Sequence, residues 1–166
     1  LARRPTGGGV VFHMWDLAFS VLIPSGSSLY SQNTLENYEL INQVVFKIVE
    51  EFVGRSTLMS LTPHDGMMKN PDQAFFCMAR PTKYDLVIGK KKIAGAAQRK
   101  MKQGFLHQGT IALQFPDLNL LDEILPSEDV REAMRQTTFP LLGENTSLEE
   151  GRLQIKELLK THFLQI

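Results

Sequence analysis

The chain has 166 residues, 43% of them apolar and 22% charged, enough for one domain to bury a continuous core. Eighteen basic residues balance eighteen acidic ones, which removes the electrostatic ground for bulk binding to nucleic acid or an anionic membrane. No apolar run approaches the roughly 20 residues of a spanning helix, so neither nucleic acid nor membrane is an expected partner. Leu1 stands where an initiating Met would, so a processed or truncated chain is expected, and nothing near it reads as a secretory leader. The sole cysteine, Cys77, excludes an internal disulfide and fits a reducing cytoplasm, the expected compartment.

In chain order, Leu1 to Gly9 forms a short segment that turns into a glycine-rich loop. Val10-Val11-Phe12 and Leu17 to Ile23 read as two strands, short, β-branched and aromatic, the second ended by Pro24. Asn33 and Glu36 offer a capping box for a helix whose Ile41, Val44, Val45, Ile48, Val49 and Phe52 recur at helical spacing, with Gly54 at its end. Ser60 to Gln73 reads as a loop. Tyr84 to Ile88 and Lys92 to Ala96 read as paired strands joined at Gly89-Lys90-Lys91. Thr110 to Phe115 alternates, with Ile111, Leu113 and Phe115 on one face. Helices are predicted from near Ser127 and near Thr146, where Glu149 completes a second capping box, and the last carries Ile155, Leu158, Leu159 and Phe163 toward a core. Strands and helices do not alternate strictly, which argues against a doubly wound parallel sheet. The expected class is α+β, a mixed and mainly antiparallel sheet flanked by helices.

Three segments could carry chemistry. Gly7-Gly8-Gly9 lets a ligand approach backbone N–H groups, and Arg3 and Arg4 beside it supply forked donors for a carboxylate or phosphate. With Arg3-Arg4-Pro5-Thr6 before it and an apolar run plus His13 after it, ligand binding is a better reading than an exposed turn. Lys90 to Lys100 is a basic strand that ends in small residues, able to bring an ammonium to a bound acyl carbonyl; by charge count alone a solvated basic hairpin is the better reading. Cys77, between Phe76 and Met78, is either a small buried hydrophobe or a nucleophile whose thiol is acidified by Arg80 and Lys83. The four histidines lie scattered, so no metal site is expected, and neither a phosphate-loop motif nor a Gly-x-Ser-x-Gly elbow occurs.

As a set, these residues are identified with a known superfamily. Arg3-Arg4-Pro5-Thr6-Gly7-Gly8-Gly9 followed by His13 resembles the signature loop of the biotin/lipoate-protein ligases. Asp85-Leu86-Val87 leading to Lys92-Ile93-Ala94-Gly95 resembles the second signature, and Leu106-His107-Gln108-Gly109-Thr110-Ile111 the strand entry after it. The resemblance implies a class II synthetase-like sheet on which the glycine loop and the lysine strand line a tunnel for an acyl chain. It implies Lys92 as the catalytic lysine at the acyl carbonyl, and Arg3, Arg4, Gly7, Gly8, Gly9, His13, Ala94 and Gly95 as substrate contacts. Met14 departs from the Asp common after the histidine. Family members carry several dozen further residues upstream, so 1–166 is read as a single catalytic domain without its N-terminal segment.

Two branches of the superfamily fit. Octanoyltransferases and lipoyl amidotransferases pass an acyl group through a cysteine thioester and require no cofactor; lipoate-protein ligases use ATP, magnesium and lipoate and act through lipoyl-AMP. Cys77-x-x-x-Pro81-Thr82-x-Tyr84-Asp85 resembles the segment that holds the nucleophile of one octanoyltransferase subgroup, which implies Cys77 in that role. About 50 residues follow the third motif, too few for the accessory domain many ligases append. The implied donor is an acyl carrier protein, or free lipoate for a ligase. The implied acceptor is the lipoyl domain of a 2-oxoacid dehydrogenase E2 or a glycine-cleavage H protein. A non-catalytic acyl- or lipoyl-domain-binding protein is the reading from another class.

Overall fold

The computed structural model describes residues 4–7, 10–54, 58–67, 76, 78, 81–125, 127–143 and 146–166. Five strands form one sheet, all neighbours antiparallel: β1 (Asp16–Pro24), β2 (Met59–Leu61), β3 (Leu86–Ile88), β4 (Lys91–Met101) and β5 (Gly104–Ala112), in the order β1-β5-β4-β3-β2. Helix α1 (Thr34–Val53) separates β1 from β2, and α2 (Leu118–Ile124), α3 (Glu128–Thr137) and α4 (Leu148–Phe163) follow β5. The α+β architecture inferred from the sequence is therefore the one observed.

One face of the sheet meets α1 and α4. The apolar stripe of α1 (Ile41, Val45, Ile48 and Val49, all fully buried) packs on Ile93, Phe105 and Ile111, while Ile155 of α4 closes the layer. Many of these are β-branched and individually poor helix formers, but burying the whole stripe outweighs propensity. Asn33 caps α1 by accepting the Leu35 N–H at 3.1 Å, and its amide bonds Glu36 at 3.0 Å. A smaller apolar cluster (Leu121, Leu125, Val130 and Met134) packs with Phe12, Trp15, Phe76 and Met78.

Several predicted elements need correction. Val10-Val11-Phe12 is not a strand; Val10 makes a single bridge to Phe76, and the three side chains line a pocket instead. Part of the predicted loop at 60–73 is β2, paired with β3. The fifth predicted strand, Thr110 to Phe115, begins six residues earlier, at Gly104, forms a hairpin with an extended β4, and ends at Ala112 rather than Phe115. Helix α2 was not foreseen. The second capping box falls one residue later, on Ser147 and Glu150.

Candidate active site

Strand β4 contains a bulge that decides which residues share a face. Leu86 pairs with Ala94 and Val87 with Lys92, so Ile93 is an extra residue on β4. Without it, Lys92 and Gly95 would point to opposite sides. With it they share one side: a Cβ on Gly95 would overlap Lys92 Cε and stand 2.5 Å from its Nζ. The lysine side chain lies across the space that glycine leaves empty. It is nearly inaccessible, 3% exposed.

Asp85 holds that ammonium. Its Oδ2 is 2.7 Å from Lys92 Nζ and accepts the Thr82 N–H at 2.6 Å and the Thr82 hydroxyl at 2.9 Å. Its Oδ1 accepts the Tyr38 hydroxyl at 2.6 Å. The turn before Asp85 sets Tyr84 at φ 66°, a left-handed conformation uncommon for a residue with a side chain. Tyr38 comes from α1, and burial first, then the Asp85 charge, push its phenol pKa well up, so it donates rather than ionises.

Lys92 and Gly95 face the side of the sheet opposite the α1 core. In register, Gly95 lies opposite Thr110 and Ala97 opposite Gln108; on the other flank of β5, Ala18 lies opposite Thr110 and Asp16 opposite Ala112. Small side chains thus dominate this surface, leaving a shallow trough. The start of the glycine loop is tied to the same face: Thr6 donates to Gln108 Oε1 at 3.0 Å and Arg99 donates to the Pro5 carbonyl at 2.9 Å. Gly7 sits at φ 69°, a turn conformation that glycine adopts without strain. Arg4 is half-buried at the loop's start. Arg3, Gly8, Gly9 and Cys77 lie outside the described residues. Ala94, by contrast, turns away from the trough: paired with Ile111, it is 2% exposed in the core beneath the helices.

A pocket lies beside β5 and is lined in part by Thr138, whose backbone meets that of Lys92; Lys92 itself is not in its wall. Phe12, Trp15, Phe76, Met134, Thr110 and Thr138 are among its walls. Thr138 bridges to Lys92 in the backbone, and the Phe139 N–H donates to the Lys92 carbonyl at 2.9 Å. Thr138 Oγ1 is buried with no hydrogen-bond partner. His13 is exposed, with Nδ1 2.7 Å from Asp16 Oδ2, and Thr110 donates to that same oxygen. His107 of β5 faces the helix side, sandwiched between the rings of Phe19 and Tyr38, with both nitrogens unpartnered; burial pushes its pKa down to about 3.

Sequence reasoning selected Lys92 and Gly95 but gave no role to Asp85, Thr82 or Tyr38. For the first two a local signal existed, since Thr82-x-x-Asp85 is the spacing of a side chain closing its own turn. Tyr38, 47 positions away, left none.

The chain is similar to known proteins in sequence and in fold. The chain is 29% identical to octanoyltransferase LipM of Bacillus subtilis over 96% of its own length and 60% of the relative's. To octanoyltransferase LipM of Halalkalibacterium halodurans it is 32% identical, covering 95% of this chain and 58% of that one. A crystal structure of lipoate-protein ligase A bound with ATP superposes with a TM-score of 0.62 at 24% identity, over 99% of this chain and 59% of the other, which shows a shared fold. The chain thus spans about 60% of the length of the curated relatives it matches. Residues 1–115, from the glycine loop through the lysine strand and β5, match the biotin/lipoate A/B protein ligase family, and the chain belongs to that family.

Proposed function

We propose that the protein is an acyltransferase of protein lipoylation, passing an octanoyl or lipoyl group to a lysine of a lipoyl domain through an acyl-cysteine intermediate. The observation that carries this reading is the buried Lys92, laid across Gly95 on the sheet face to which the glycine loop is tied. The names of the relatives and the Cys77-x-x-x-Pro81-Thr82-x-Tyr84-Asp85 motif favour the thioester route over adenylation.

In this mechanism the Cys77 thiolate adds to the carbonyl carbon of an octanoyl thioester on a carrier protein. The carbon–sulfur bond to the carrier breaks, and the carrier leaves as a thiol after taking a proton. The neutral amine of the acceptor lysine then adds to the enzyme thioester; the nitrogen gives up a proton to solvent, an amide forms as the carbon–sulfur bond breaks, and the Cys77 thiolate is released. Each addition puts negative charge on the carbonyl oxygen, and a preorganised ammonium stabilises that charge without reorganising. Lys92 is the group assigned to it. His13, Arg3, Arg4 and the backbone of Gly7, Gly8 and Gly9 are the proposed contacts of the incoming acyl group.

The test is the intact mass of the protein after incubation with octanoyl carrier protein. A single octanoyl adduct that hydroxylamine removes, lost in Cys77→Ala, is the expected result. Lys92→Met is expected to slow transfer to a lipoyl domain by about 10²–10³-fold. Lipoate-dependent release of pyrophosphate from ATP, undiminished in Cys77→Ala, would instead assign the protein to the ligase branch. Neither adduct nor pyrophosphate would leave a non-catalytic binding protein.

A further inference from the structure

The reacting lysine lies in contact with the Asp85 carboxylate, so what orients that carboxylate bears on the lysine. Asp85 has two oxygens with different neighbours. Oδ2 receives Lys92 and both donors of Thr82, and Oδ1 receives the Tyr38 hydroxyl at 2.6 Å. The same phenol oxygen accepts the N–H of Ala96, the residue after Gly95, at 3.0 Å. Tyr38 therefore grips both the lysine's counter-charge and the stretch of β4 over which the lysine lies. It is 4% exposed and sits one helical turn before Ile41 on the buried stripe of α1. Thr82 and Lys92 hold one carboxylate oxygen, and Tyr38, carried by a helix seated in the core, holds the other.

We infer that Tyr38 is a positioning residue for the transfer reaction, holding the Lys92 ammonium in register over Gly95 by way of Asp85. This rests on the reading of Lys92 as the lysine at the acyl carbonyl. A purely structural role would make Tyr38 one more core aromatic whose hydroxyl happens to find an acceptor. The two differ in what Lys92 does when the hydroxyl is removed and the ring kept.

The experiment measures the rate at which Lys92 is acetylated by a small amine-reactive ester, read by peptide mass spectrometry, with the exposed Lys91 as internal reference. Tyr38→Phe is expected to raise the Lys92 rate about tenfold relative to Lys91, the scale of one lost hydrogen bond to a charged group. It should also lower kcat for transfer with KM unchanged, because the lysine acts on charge that develops in the reaction. Ile41→Val, which loosens the same helix face without touching the carboxylate, provides a variant of reduced Tm for comparison. An unchanged Lys92 rate in Tyr38→Phe overturns the proposal, as does an equal rise in Ile41→Val. A faster rate with unchanged kcat, in a protein that Lys92→Met inactivates, overturns it too. If Lys92→Met leaves transfer intact, the catalytic assignment of the lysine fails, whereas the acetylation rates still decide whether Tyr38 holds it.

Discussion

The ammonium of Lys92 and the carboxylate of Asp85 are 4% and 0% exposed, so neither is solvated and each depends on the other. Gly95 makes room for both, since a methyl group there would overlap Lys92 Cε and lie 2.6 Å from Asp85 Oδ1. Gly95→Ala is therefore expected to force the pair apart, lowering stability by about 3 kcal/mol in urea denaturation and transfer by more than its loss of folded protein explains. His107 makes a different prediction, about pH. Its folded pKa of about 3 lies below its unfolded value of 6.5, so the unfolded chain binds the extra proton between those values. The stability it secures is complete above pH 6.5 and drains away as pH falls toward 3. Between pH 6.5 and 5 the loss is about 2 kcal/mol, and His107→Leu should remove that component from a series of denaturation curves.

Among the elements, helices were read more faithfully than strands. The stripe of α1 announced itself because one buried face repeats every turn, and the Ser147–Glu150 box of α4 was found within a residue. Ser147→Ala is expected to cost about 1 kcal/mol, measured as a shift in urea midpoint. Strand β4 was cut short at Ala96 because Gln98, Arg99 and Lys100 interrupt its apolar pattern, yet backbone pairing with β5 runs on to Met101. Gly109 and Gln108 likewise disguised the first half of β5. Val10 to Phe12 have a strand's composition, but among the described residues they pair only through the single bridge from Val10 to Phe76. At the site, Lys92 and Gly95 were legible as a motif. The bulge at Ile93, which puts them on one face, is a property of pairing with β3 and has no signature within β4 itself. Tyr38 was illegible for the same reason at longer range.

Across the whole molecule, β1 is an outer strand of the sheet among the described residues, nine residues long, with Leu22 67% exposed. Such an edge is a template for pairing with another chain. The 166-residue chain on its own is expected to self-associate as its concentration rises, and Leu22→Lys should reduce the association seen by light scattering. A second long-range feature lies on the loop that bears His13: Arg152 of α4 donates to the carbonyls of Asp16 at 2.9 Å and Met14 at 2.8 Å, partners 136 and 138 positions earlier. On the ribosome, at about 5–20 residues per second, those carbonyls wait roughly 7 to 27 s for their donor to be made. Through that interval β5 and the residues just after it can already hold the loop through Trp15 and Asp16, and the tie to the last helix comes at the end of translation.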